Sequence, residues 1–102
     1  MGRLFENLAF RKLARSHETM YYYKDDKGNE VDFAILEGGN AAALYQVCFD
    51  LTDEETRARE IRSLIKAGTT LNCSNLNLIT MERSEAFQLP REIQVVTAAE
   101  FL

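Results

Sequence analysis

Asp32, Gln46 and Glu6 are the residues whose types and spacing could do chemistry together. Glu30 to Leu36 alternates as a strand, with Glu30, Asp32 and Ala34 on one face and Val31, Phe33 and Ile35 on the other. The apolar set is expected to face the core. In the following strand, Ala42 to Phe49, the residues Leu44, Gln46 and Cys48 share a face, and Tyr45, Val47 and Phe49 share the opposite one. If the two strands are antiparallel neighbours, Asp32 comes beside Gln46 or Cys48. A carboxylate, an amide oxygen and a backbone carbonyl could then converge on a hard divalent ion such as Mg²⁺. Glu6 lies at the edge of the apolar stripe of an N-terminal helix, near Phe10 and Leu13, from where it could reach over the sheet edge. Each residue also has an ordinary structural reading. Asp32 can be a solvated strand residue or a partner of Lys24, Glu6 can favour a helix N-terminus, and Gln46 can be a half-buried amide bonded to backbone.

The elements that must position these groups can be read in order. Arg3 to Ser16 carries Leu4, Phe5, Leu8, Ala9 and Leu13 at helical spacing. Met20 to Lys24 is a tyrosine-rich strand, and Asp25 to Asn29 is turn chemistry that makes a hairpin with Glu30 to Leu36. Glu37-Gly38-Gly39-Asn40 leads into the third strand. Thr52-Asp53-Glu54-Glu55 fits a capping box with Thr52 as the cap, and the helix is expected to run to about Ala67 and stop at Gly68. Its buried stripe is read as Ala58, Ile61 and Ile65. Arg57, Arg59, Arg62 and Lys66 alternate with Asp53, Glu54, Glu55 and Glu60, a pattern of a solvated, self-paired face that could alternatively touch phosphates. Leu76 to Thr80 and Glu92 to Val96 are two further strands, and Ala98 to Leu102 a last turn of helix.

Length and composition narrow the function. At 102 residues, 46% of them apolar, the chain suits a single domain over residues 1–102 with one modest core. Sixteen acidic residues against twelve basic ones give a net charge of −4, which is not the footprint of a dedicated DNA-binding module. Two cysteines without a CxxC pair suggest a reducing, cytoplasmic setting, and the lone His17 offers no zinc cluster. No apolar run is long enough to span a membrane, and no phosphate-binding loop follows Gly38-Gly39-Asn40.

Five segments, Gly2 to Asn7, Tyr21-Tyr22-Tyr23, Asn29 to Phe33, Tyr45 to Leu51 and Glu54 to Glu60, occur in that order. Together they closely resemble the domain of unknown function found C-terminal to prokaryotic AAA-type ATPases of the archaeal-ATPase kind, from Gly2 to about Ala67 with a looser tail. That family is regarded as a divergent branch of the PD-(D/E)XK nuclease-like superfamily. The resemblance implies an α/β fold with a restriction-endonuclease-like αβββαβ core, a mixed sheet flanked by helices. It also implies that this is the C-terminal part of a larger ATPase.

In that superfamily a helix Glu, a strand Asp and an acid-x-Lys pair build the site. By resemblance these catalytic positions fall on Glu6, Asp32, Gln46 and Cys48, with Glu6, Asp32 and Gln46 toward a weakly held Mg²⁺ or Mn²⁺. Two positions depart from the pattern. Gln46 replaces the acid and Cys48 the Lys, and a neutral thiol supplies no positive charge. A cation from Lys12, Lys24 or Arg57 could take over, or Cys48 could be a small residue packed under the second helix. Two functions follow. One is a nuclease-like accessory module with a degenerate site that binds DNA, a protein partner or its own ATPase domain. The other is an active Mg²⁺-dependent endonuclease using Glu6, Asp32, Gln46 and a migrated cation. The missing Lys and the acidic balance favour the module.

Overall fold

The computed structural model describes residues 7, 10, 11, 20–48, 51–81 and 89–101. Five strands form one mixed sheet in the spatial order β1-β2-β3-β4-β5, with β1 at Met20–Lys24, β2 at Glu30–Glu37, β3 at Asn40–Val47, β4 at Leu76–Thr80 and β5 at Ile93–Thr97. The first three make an antiparallel meander, and β3, β4 and β5 run parallel. The parallel step from β3 to β4 needs a crossover, which helix α1, Glu54–Leu71, supplies. A short helix α2, Ala98–Phe101, follows β5. The mixed α/β architecture expected from the sequence is therefore present.

The β1–β2 hairpin is set by its turn. The Asp25 carboxylate accepts the Lys27 and Asn29 backbone N–H groups at 2.9 and 2.8 Å and the Asn29 side-chain amide at 2.9 Å, and these bonds hold its carboxyl below the usual range. Gly28 takes φ 87°, a conformation that a side chain would strain.

The sheet is buried on both faces. Val31, Ala34, Leu44, Cys48, Leu64, Ala67, Leu76 and Leu78 form the core under α1, whereas Phe33, Ile35, Ala43 and Ile79 pack on the opposite face. Phe10, in helical conformation with Asn7 and Arg11, sets its ring 6.1 Å from that of Phe33. Strict alternation places Val31, Phe33 and Ile35 on one face, and this expectation fails. Tyr21 pairs with Ala34 and Tyr23 with Val31, so two residues of advance on β1 match three on β2. The extra residue is a β-bulge at Asp32-Phe33, which turns Val31 to the same side as Ala34.

Helix α1 also departs from the expected bounds. Its N-cap is Asp53, not Thr52: the Asp53 carboxylate accepts the Thr56 N–H at 3.4 Å and the Thr56 hydroxyl at 2.8 Å. The helix passes through Gly68 and ends at Leu71, capped by Asn72 in the left-handed region at φ 54°. The buried stripe is Ser63, Leu64, Ala67 and Gly68, with Ala58 exposed and Ile61 and Ile65 on its flanks. Gly68 is a contact residue, not a terminator. A Cβ there would stand 2.8 Å from the Cys73 carbonyl oxygen and 2.9 Å from Leu76 Cδ2. Gly68→Ala should lower the urea midpoint, because overpacking at about 1–3 kcal/mol outweighs the ~1 kcal/mol of helix propensity gained. A midpoint at or above wild type would mean that the α1–β4 contact yields freely.

Candidate functional site

The β2–β3 ladder runs from Glu37↔Asn40 to Phe33↔Tyr45, and its regular pairing stops one residue short of Asp32 and Gln46. From there side chains take the place of the ladder. The Gln46 Oε1 accepts the Asp32 backbone N–H at 2.8 Å, and its Nε2 donates to the Glu30 carbonyl at 2.9 Å. The Val47 N–H in turn donates to Asp32 Oδ2 at 2.8 Å. The bulge at Asp32 gives the physical reason: an extra residue disrupts the ladder and leaves backbone groups that need partners. Gln46, 3% exposed, supplies one donor and one acceptor in the amide geometry that a missing peptide would have offered.

The sequence brings Asp32 and Gln46 together as expected. Glu6 and Lys12 lie outside the described residues. Cys48 lies in the apolar core beneath α1, its N–H donating to the Ile79 carbonyl at 2.8 Å, and it does not line the cavity formed by its neighbours. Lys24 pairs with Glu30 at 3.7 Å, and Arg57 donates to the Leu51 carbonyl.

That cavity, about 80 Å³, is lined by Gly28, Glu30, Asp32, Gln46, Arg59, Glu60 and Ser63. It lies between the parted ends of β2 and β3 and the second turn of α1. Glu60 is the member that sequence reasoning misses. Read as part of a solvated face, it is instead 17% exposed at its side chain and close enough to Asp32 for the two carboxylates to repel. The signal was available: Glu60 stands four residues before Leu64, on the same side of the helix as the buried stripe. The misplaced stripe concealed it.

Burial, and then the Asp32 charge, push the Glu60 carboxyl above its ordinary 4.5, while Arg59, 3.6 Å away, and the Gln46 amide pull it down. A raised acid pKa means that the unfolded chain releases this proton at lower pH than the folded one. The stability Glu60 confers when protonated is complete below about pH 4.5 and is lost as pH rises through the folded value. Glu60→Gln should therefore be more stable than wild type at pH 7.5, and the difference should shrink toward pH 4.5 in urea titrations. Parallel curves across that range would show that Glu60 is not desolvated.

The described donors do not fit a magnesium ion, which demands near-octahedral oxygen ligands. The Gln46 oxygen and one Asp32 oxygen already accept backbone N–H groups. Among the described residues no three His, Cys, Asp or Glu side chains are grouped to hold a metal. Among them, too, no helix is long and apolar enough to cross a membrane.

Comparison with known proteins adds one finding. Residues 1–101 match the profile of a family described as Domain of unknown function (DUF4143). No curated protein and no solved structure matches the chain.

Proposed function

The chain belongs to the DUF4143 family, matched over residues 1–101, and on that premise we propose that it is a nuclease-like interaction module. In this reading a restriction-endonuclease-like scaffold, carried by a prokaryotic AAA-type ATPase, has lost phosphodiesterase chemistry and binds a protein, first of all the ATPase domain of its own chain. One observation carries it. The Gln46 amide, which stands at the acid position of the nuclease pattern, is spent on closing β2 against β3, with Asp32 Oδ2 tied to Val47 in the same way. Cys48, at the Lys position, is packed in the core with no charge to offer a phosphate. A net charge of −4 and a cavity ringed by Glu30, Asp32 and Glu60 oppose approach of a nucleic-acid backbone.

The second reading is a working Mg²⁺-dependent endonuclease, and the observation in its favour is Arg59, a cation on the wall of the same cavity as Asp32. Plasmid nicking with Mg²⁺ or Mn²⁺ separates the two. The full chain should leave supercoiled plasmid intact. Metal-dependent nicking that Asp32→Ala abolishes would overturn the module reading. Calorimetric titration of the ATPase domain supplied in trans should give binding, whereas a short DNA duplex should bind weakly and lose its hold as salt is raised.

A further inference from the structure

We propose that the cavity between β2, β3 and α1 is a socket for the guanidinium of an arginine side chain presented by a protein partner. The inference rests on the interaction-module reading and adds the chemistry that the partner must bring. Three carboxylates, Glu30, Asp32 and Glu60, surround the cavity, against the guanidinium of Arg59 on its wall and the Lys24 ammonium 3.7 Å from Glu30. Arg59 itself points largely into solvent, with its side chain 62% exposed and its contact with Glu60 at 3.6 Å. An exposed pair of this kind holds weakly.

Ser63 is the independent sign of a ligand. It is 6% exposed and lines the cavity, yet its hydroxyl bonds to none of the described residues. No side-chain nitrogen or oxygen sealed from solvent lacks a hydrogen-bond partner among those residues, so this hydroxyl opens into the cavity. A buried hydroxyl with two acceptor lone pairs and no donor aimed at it is satisfied by an arriving N–H group.

Size narrows the ligand further. A cavity of 80 Å³ is the space of roughly two to three waters at ~30 Å³ each. That suits one side-chain head group. A guanidinium is planar, weakly hydrated and donor-only, with five N–H groups to spread over carboxylates on two walls and the Ser63 oxygen. A lysine ammonium is a more strongly hydrated point charge and fits a flat, multi-sided acceptor set less well.

The test is an NMR titration of the full chain at pH 8 with ethylguanidinium chloride. Butylammonium, tetramethylammonium and MgCl₂ serve as parallel titrants at matched ionic strength. Ethylguanidinium should give a saturable shift centred on the Gly28, Asp32 and Ser63 amides, and tetramethylammonium should not. Glu60→Gln, a variant expected to stay folded, should weaken binding about fivefold, the effect of losing one charge-assisted contact. Arg59→Ala should tighten binding by removing the resident competitor. The proposal is overturned by shifts that are diffuse, matched by tetramethylammonium, unaffected by Glu60→Gln, or produced at lower concentration by butylammonium or Mg²⁺. Each of these outcomes leaves the nicking result untouched, so the socket can fail while the module reading stands.

Discussion

Introducing the acid and the Lys of the proposed nuclease pattern, by Gln46→Glu with Cys48→Lys, should unfold this domain, or nearly so, and should yield no cleavage. Cys48 is 3% exposed in the apolar core formed with Val31, Leu44, Leu51 and Leu64. An ammonium there is an uncompensated buried charge, costing about 3–5 kcal/mol, a large part of the 5–15 kcal/mol that holds a typical domain together. Gln46→Glu adds to the loss, because a carboxylate cannot donate to the Glu30 carbonyl and lands beside Asp32 and Glu60. Urea unfolding of both single variants and the double, followed by plasmid nicking, reads the result. Wild-type stability in Cys48→Lys would mean that the ammonium reaches the Asp32–Glu60 pair, since lysine stems can lie along apolar surface with the head elsewhere. Nicking by the double variant would overturn this expectation and favour the endonuclease reading of the scaffold.

Gln46→Ala should be the next most damaging change. It strips the Asp32 N–H and the Glu30 carbonyl of their partners. An unsatisfied group costs about 1–3 kcal/mol, and both are partly buried, so a total of about 2–4 kcal/mol is expected. Gln46→Met separates the two components of the loss, since it keeps most of the volume and removes both hydrogen bonds. If Gln46→Met unfolds within about 0.5 kcal/mol of wild type, inside the scatter of neutral substitutions, then packing and not the amide bridge holds β2 to β3.

Much of the architecture was legible in local chemistry. The bounds of β1 and β4 follow from Met20–Lys24 and Leu76–Thr80 as read, and the hairpin between β1 and β2 is written in Asp25 and Gly28. Turn geometry and side-chain alternation are properties of a few consecutive residues, so a sequence can state them. The pairing of Asp32 with Gln46 was legible for the same reason: an antiparallel hairpin converts spacing along the chain into proximity across strands.

What alternation could not carry was its own interruption. The bulge at Asp32-Phe33 shows no local signature in Glu30 to Leu36, and it decides that Val31 packs under α1 while Phe33 packs behind the sheet. Gly68 read as a helix stop because glycine commonly follows a last turn. Only the closeness of Cys73 and Leu76, each within 3 Å of where a Cβ at position 68 would stand, reveals it as the space that lets α1 close on β4. Glu60 read as a solvated charge because its neighbours are charged, and the rotation of α1 about its axis is fixed by where Leu64 and Ala67 find the sheet. By itself the sequence determined which strands form, how the hairpin turns and which two side chains meet across it, because those depend on residues close along the chain. The tertiary structure alone decided that Glu60, Arg59 and Ser63 join them and that Cys48 does not, because burial and helix rotation are settled by packing between segments far apart in sequence.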